Sequence, residues 1–500
     1  MSKLVIVGNG VAGVTAARAA RRRAARLDIT LLAAEATPYY SRPGLHYVLT
    51  GLTRPEDLHP LPASYWDTNR IRVVHAEAHQ IEAGAVVLTD GRRIPFDRCV
   101  LATGSRPRDL AGAAEVMAAG LACRLHRKED IEAINYVLTT QREVHATPEM
   151  QPPDRASLAV RDPDRFSPAV GHPNRFSLAV EPSDRATSVP QPRAIVLGAG
   201  LTGLELAELC IQRGYRTDVF FPELDPQQAI LDDVERTWLL ARMTAHGVSF
   251  FRGESAQSIR KTPAPFPDGA EVLFASGRTE QAHVVALALG VEPCVAIAQR
   301  SGIATSRGIT VGPDFQTTQS GVFAIGDVAE MDGRISTLWY TARQQAMQMV
   351  DGWYGAKLVA GADPREAYNS AQFFGIDYHF WGDTSLLPGS AQDIHFVSAS
   401  GNRAERRGKV ANRFWSGKRP MVAPKGTDAP ENPSATRMVR LIGSDGKLGA
   451  VSALGYRLRG DAVRADLGRP LVTIDPHRIS TWGFEPEFTQ TSWIRTEVRA

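Results

Sequence analysis

An α/β architecture of two open, three-layer units with mostly parallel sheets is predicted by one pattern that occurs twice and by the strand that follows each copy. Near the start, Leu4-Val5-Ile6-Val7 is a short apolar run, followed by Gly8-Asn9-Gly10-Val11-Ala12-Gly13 and a stretch rich in helix formers from Val14 to Ala20. The order returns as Ala194-Ile195-Val196-Leu197, then Gly198-Ala199-Gly200-Leu201-Thr202-Gly203, then Leu204 to Leu209. A second apolar run comes after each, Ile29 to Ala34 and Thr217 to Phe221. Strand, glycine-rich turn, helix and strand in that order is the signature of a Rossmann-like unit.

Each part has a physical task. In the first copy Gly8 permits the tight turn, Gly10 lets backbone approach a pyrophosphate, and Gly13 lets helix and sheet pack closely. The helix N-terminus offers free N–H groups and partial positive charge to phosphate. Glu35, 22 residues after Gly13, is placed to accept hydrogen bonds from a ribose. Gly198, Gly200 and Gly203 repeat the arrangement. One such unit holds a dinucleotide; two in one chain indicate a resident dinucleotide and a diffusing one, which together make a redox relay.

Between the copies, Tyr39 to Leu45 reads as a turn entering a helix, and strands are expected at Ile71–His75 and Ala85–Leu88 with a hairpin at Thr89-Asp90-Gly91. Cys99 to Ala102 reads as a buried strand running into Thr103-Gly104-Ser105, at the carboxyl end where open α/β sheets bind ligands. Residues 127–139 predict a helix whose stripe of Ile131, Ile134 and Leu138 is core. From 143 to 192 a Pro-Asp/Asn-Arg motif recurs every ten residues, as at Pro153, Pro163 and Pro173. Proline in every copy and few apolar residues predict a disordered surface insertion.

Composition narrows the function classes. Five hundred residues, 43% hydrophobic and 22% charged, are those of a globular protein of about three domains. A formal charge of +3 argues against nucleic acid as the main partner. No apolar run approaches a transmembrane span, and a strand beginning at Lys3 leaves no room for a targeting segment, so a cytoplasmic protein is expected. Cys99, Cys123, Cys210 and Cys294 are widely spaced without C-x-x-C, which signals no metal site and fits reduced thiols.

With both loops placed, the chain resembles the two-dinucleotide-binding-domain flavoproteins, the pyridine nucleotide–disulfide oxidoreductase superfamily. Cys99 to Gly104 is similar to that family's ATG strand, and Val284 to Pro293, with Gly290, to the strand and G-x-x-P segment closing its NAD domain. Thr318 to Asp327, with Gly326, resembles its second FAD motif, whose aspartate binds the ribityl chain. The resemblance implies FAD held by Gly8, Gly10, Gly13, Glu35, Thr103, Gly104, Gly326 and Asp327. It implies NADH, or NADPH, on Gly198, Gly200, Gly203 and Gly290. Arg42 reads either as a side chain stacked on, or neutralising, flavin or phosphate, or as a solvated loop arginine. Glu205 is implied to orient the nicotinamide ribose, against the plain alternative of an exposed helix glutamate. The helix after Ser336 to Trp339 is implied to point its N-terminus at the flavin. Phe221 ends the second ribose-binding strand, with Glu223 two positions later and no arginine cluster behind it, which favours NADH.

The implied domains are 1–125 with 306–362 (FAD), 126–142 with 193–305 (NAD(P)H), the insertion 143–192, and 363–500 at the C-terminus. Gly8-Asn9-Gly10 with Tyr40 to Leu45 is most similar to rubredoxin reductases and the flavin portion of nitrite reductase large subunits, and residues 373–382 and 441–455 to the small α+β C-terminal domain of that branch. Two departures bear on mechanism. The family's disulfide reductases carry a C-x-x-x-x-C pair after the first ribose acid; this chain has no cysteine before Cys99, and Pro43 stands where the peroxidase and oxidase branch has its single cysteine. The expected activity is hydride transfer from NADH to FAD, then electrons to a rubredoxin- or ferredoxin-like carrier, without a redox disulfide. The alternatives are a flavin subunit of a larger redox complex, an NADH oxidase or quinone reductase, and a non-catalytic NADH-responsive binding protein.

Overall fold

The computed structural model describes residues 2–145, 191–222, 231–262, 269–355, 366–383, 386, 394–398, 438–474, 478–479, 481–482 and 493–497. The ten-residue repeats and Glu223 lie outside the described residues. In chain order, β1 (Lys3–Val7), α1 (Val11–Arg23), β2 (Asp28–Ala33), α2 (Leu45–Leu49), β3 (Ile71–His75) and β4 (Arg98–Leu101) come first. Then follow β5 (Ala122–Arg124), α3 (Asp130–His145), β6 (Arg193–Leu197), α4 (Leu201–Gln212), β7 (Arg216–Phe221), α5 (Asp233–Ala245), β8 (Val248–Arg252) and β9 (Val284–Leu287). The chain goes on through β10 (Val322–Ala324) and α6 (Trp339–Trp353). The C-terminal strands are β11 (Glu366–Phe373), β12 (Ile376–Asp383), β13 (Ile394–Ser398), β14 (Met438–Ser444), β15 (Lys447–Leu454) and β16 (Trp493–Glu497).

Two parallel sheets carry the two glycine turns. The first has the order β10-β4-β1-β2-β3 and the second β8-β7-β6-β9-β5. Each glycine turn leaves the central strand of its sheet, where the order reverses and a crevice opens at the carboxyl ends. The first sheet is closed by α1 and α6. Small α1 side chains (Ala16, Ala17, Ala20) are buried in one cluster with Ala342, Ala346 and Met349 of α6, so the two helices approach closely. Arg21, Arg22 and Arg23 fill the last turn of α1, where cations suit the helix dipole.

The strands expected at 71–75 and 85–88 are present with those bounds. Helix α3 runs longer than the stripe alone implied, and Ile131, Ile134 and Leu138 are buried as expected. One placement differs. Ala122–Arg124 was expected on the first unit, ahead of a boundary after residue 125, yet it pairs in parallel with β9 at the edge of the second sheet. Three residues carry too little periodicity to reveal which sheet edge they extend. The C-terminal residues form a six-stranded antiparallel sheet, β11-β12-β15-β14-β13-β16, and a short helix, Gly460–Arg464. No helix among the described residues is long and apolar enough to cross a membrane.

Candidate functional site: two glycine cradles and the cleft between them

Positive φ forces the choice of residue at the start of each turn. Gly8 has φ +119°, and a Cβ there would lie 2.1 Å from the carbonyl oxygen of Ala102. Gly13 closes the cradle from the other side, its missing Cβ lying 2.0 Å from the Gly8 oxygen. Gly10 differs: nothing stands within 4 Å of its Cβ direction. It caps α1 with no side-chain hydrogen bond and no acid in the first turn, so the first-turn amides face open space. Beside them Asn9 Oδ1 is buried with no hydrogen-bond partner. An uncapped helix N-terminus, an open glycine and an orphaned buried oxygen are what a pyrophosphate-bearing group fits.

Glu35 lies two residues beyond β2 and is held from two sides. Arg42 Nη2 donates to its Oε1 at 2.6 Å and Tyr40 Oη donates to its Oε2 at 3.2 Å. Burial pushes the Tyr40 phenol up to about 12, so it stays a donor. Arg42 also donates to the His126 carbonyl at 2.7 Å and lies 5.3 Å over the Tyr40 ring. It is therefore a tie between the first ribose-type acid and the segment entering the second unit, and neither a free loop arginine nor an isolated cation.

The rest of the first site is assembled from distant segments. Thr103 Oγ1 donates to the Cys294 carbonyl, and the Cys294 amide donates to Gly104, whose φ is +68°. Ser105 Oγ donates to Asp327 Oδ2 at 2.8 Å. Burial raises the Asp327 carboxyl, opposed by the Ser105 hydrogen bond and by Arg42. The Gly326 amide donates to Gln345 Oε1 of α6 at 2.7 Å, and a Cβ on Gly326 would meet that of Ala12 at 3.0 Å. Thus α1, the Gly326–Asp327 turn and α6 converge. Thr341 Oγ1 and Gln344 Oε1, in the first turns of α6, are buried without partners.

The second cradle repeats the first almost atom for atom. Gly198 has φ +110°, its Cβ would lie 2.2 Å from the Ala288 oxygen, and that of Gly203 2.0 Å from the Gly198 oxygen; Gly200 is open. Gly290, with φ +81°, accepts from the Arg108 amide. Above this loop is a cleft of about 320 Å³, bordered by Gly200 to Gly203, by Leu287 to Val291, by Thr337 and Leu338 at the start of α6, and by Asn369 and Tyr378. The cleft over the second cradle therefore reaches the N-terminal end of α6, the helix whose Gln345 holds the Gly326 amide of the first site.

Glu205 is half-buried on α4. Burial, with Glu208, pushes its carboxyl up to about 7, against the opposing pull of His46. The His46 ring is buried and 3.6 Å from Glu208. Tyr47 is pushed up to about 12 by burial and by Glu205.

Strand register gives a reference point for the second ribose position. The Gly8 amide donates to Leu32, the Gly198 amide to Phe220, and these residues pair with the last residue of β1 and of β6. Glu35 is the third residue after Leu32; the third after Phe220 is Glu223. Counted from the end of the apolar run, Phe221 stands opposite Glu35 and Glu223 follows two positions later; counted by register, Glu223 itself has the offset of Glu35. Phe221 is core, edge-on to Phe250. Three groups escaped the sequence reading, Gln345, Asn369 and Tyr378, because each reaches the site from a remote segment without a local motif.

Among the described residues no group of three His, Cys, Asp or Glu is placed to hold a metal ion. All four cysteines are free, and burial raises the thiols of Cys99, Cys123, Cys210 and Cys294. None is a ready thiolate.

Comparison with known proteins agrees with this geometry. Rubredoxin-NAD(+) reductase of Acinetobacter baylyi is 24% identical over 359 residues, 69% of this chain and 77% of that protein. The nitric oxide reductase FlRd-NAD(+) reductase of Salmonella agona is 24% identical over 355 residues, 70% of this chain and 79% of that protein. A ferredoxin reductase from Rhodopseudomonas palustris shares the fold with a TM-score of 0.66 at 18% identity, over 98% of both chains. The putidaredoxin reductase of a covalent putidaredoxin reductase–putidaredoxin complex gives 0.65 at 19% identity, over 91% of this chain and 89% of that one. The model of the pyridine nucleotide-disulphide oxidoreductases matches residues 2–346, from the first strand through both cradles into α6. With paired sheets, paired cradles and that match, this chain belongs to the pyridine nucleotide-disulphide oxidoreductase family.

Proposed function

We propose that this oxidoreductase takes a hydride from NADH onto a resident FAD and delivers electrons to a small carrier protein of the rubredoxin or ferredoxin type, with no cysteine in the path. The observation that carries this is that α6 links the two cradles: its start borders the cleft over the second, and its Gln345 holds the Gly326 amide of the first. FAD fits the first cradle, with Gly8, Gly10 and Gly13 at the pyrophosphate, Glu35 at the ribose, and Thr103, Gly104, Gly326 and Asp327 along the ribityl chain. When bound, the flavin supplies a two-electron acceptor that gives electrons up singly. The protein's part is alignment, exclusion of water and a fixed electrostatic setting.

Gly198, Gly200 and Gly203 would hold the NADH pyrophosphate, and Gly290 would let the dinucleotide pass close to backbone. Glu223 stands at the offset of Glu35, and an acid there suits a free 2′-hydroxyl better than a 2′-phosphate; this supports NADH over NADPH. The domain division that goes with this reading joins 1–110 to 306–362 for FAD and 111–142 to 193–305 for NADH, since Ala113, Val116 and Leu121 are buried with Ile195 and Leu197. The four reduced thiols suit a cytoplasmic enzyme.

Purified protein should be yellow, bleach on anaerobic addition of NADH faster than with NADPH, and be reoxidised by rubredoxin or ferredoxin faster than by oxygen. Reoxidation by oxygen or a quinone at the speed of every carrier tried would replace the carrier reading with an oxidase or quinone reductase.

A further inference from the structure

One wall of the cleft comes from the C-terminal sheet. In the β11–β12 hairpin Asn369 is opposite Phe380 and Ala371 opposite Tyr378. Residues directly opposite, and those two apart, share a face of an antiparallel pair, so these four point the same way. Ala371, Tyr378 and Phe380 are buried in one cluster with Leu204 and Leu206 of α4 and with Leu231. The other face holds Tyr368, His379 and Trp381, with Tyr368 edge-on to Tyr340 of α6. The face pressed on the second cradle's unit is thus apolar, except for the Asn369 amide and the Tyr378 hydroxyl.

Both residues border the cleft. Asn369 Nδ2 and the Tyr378 hydroxyl are buried, and neither has a hydrogen-bond partner. A buried polar group without a partner costs free energy that a leucine or phenylalanine would not, so packing alone does not account for them. Burial, the largest influence, keeps the Tyr378 phenol protonated, with Glu235 acting in the same direction and Arg440 against it. The pair therefore presents an amide N–H and a hydroxyl, which suit a carboxamide oxygen and ribose hydroxyls. A volume of about 320 Å³ accommodates one half of a dinucleotide.

We infer that the C-terminal domain is part of the co-substrate site, with Asn369 and Tyr378 hydrogen-bonding the nicotinamide-riboside half of NADH across the cleft. This rests on the second cradle being the NADH site. The domain then sets co-substrate affinity as well as covering the two nucleotide-binding units.

The test uses the full-length, flavin-loaded protein and the variants Asn369→Ala and Tyr378→Phe, the second removing a single oxygen. Calorimetry with NAD⁺ and anaerobic flavin reduction by NADH should each show affinity weakened about 3- to 10-fold per variant, the worth of one hydrogen bond. Reduced nicotinamide mononucleotide should lose the same factor, while ADP, which lacks both the nicotinamide and its ribose, should bind as it does to the parent. NAD⁺ affinity unchanged in both variants overturns the inference. So does an equal loss for ADP, which would reveal a loosened domain instead of a lost contact. Should the parent bind neither NAD⁺ nor ADP, the reading of the second cradle fails first and takes this inference with it.

Discussion

The two cradles are nearly superimposable in their constraints and opposite in their surroundings. Gly8 and Gly198 both hold positive φ against a carbonyl of the neighbouring strand end, and Gly13 and Gly203 both pack on the first glycine of their turn. Around the first, the chain adds Arg42 and Tyr40 on Glu35, Ser105 on Asp327, and Gln345 on the Gly326 amide. The second opens on a cleft whose far wall, Asn369 and Tyr378, belongs to another sheet. One backbone device thus serves two purposes. Polar ties drawn from remote segments fix the first site, which suits a group that stays; a cleft with unfilled hydrogen-bonding groups suits one that comes and goes.

The sharpest way to break the comparison is to tax each cradle separately. Gly8→Ala forces a Cβ into the Ala102 carbonyl at positive φ. It should cost more than about 3 kcal/mol of stability and yield protein without flavin. Gly10→Ala meets no protein atom, so apoprotein melting should be unchanged while flavin binding falls. Gly200→Ala should leave both flavin and melting intact and raise only the NADH requirement. Flavin loss from Gly200→Ala, with Gly10→Ala still yellow, would reverse the assignment of the two cradles.

Asp327→Ala comes next in size. It removes a partly buried carboxylate that accepts from Ser105, and flavin retention should weaken by about 1.5–3 kcal/mol, the worth of a charged hydrogen bond. Equilibrium flavin dissociation measures it directly, and Ser105→Ala should show a smaller loss in the same direction. Equal occupancy in the Asp327 variant and the parent would place the ribityl chain elsewhere.

What was legible in the sequence follows the range of each interaction. Both cradles could be read because strand, glycines and helix are contiguous and each glycine answers a local steric demand. Asp327 could be read through the motif around it. Arg42 was visible as a residue, but its ties to Glu35 and the His126 carbonyl join segments 7 and 84 positions away, and no local spacing encodes that. Gln345, Asn369 and Tyr378 were illegible for the same reason. Glu223 was legible as an acid just past the second strand, and only its offset, the same from Phe220 as that of Glu35 from Leu32, needed the strand register.

The smallest effect separates the cradles at one position. Two residues beyond the third glycine the first has Thr15 and the second Glu205, so only the open site carries a titratable group there. With its carboxyl pushed up to about 7, Glu205 resists ionisation in the folded protein. That resistance costs nothing below its ordinary value near 4.5, grows as pH rises towards 7, and is complete above it. Glu205→Gln removes the cost, so its melting point should match the parent's at pH 5 and exceed it at pH 8. A shift of this size has an upper bound of about 3 kcal/mol, and partial exposure reduces it to about 1 kcal/mol, or roughly 2 °C. Flavin content should not respond, because the first cradle has no part in this ionisation. NADH affinity should vary between pH 6 and 8 in the parent and flatten in the variant; a parent profile already flat across that window would show that Glu205 does not feel the co-substrate.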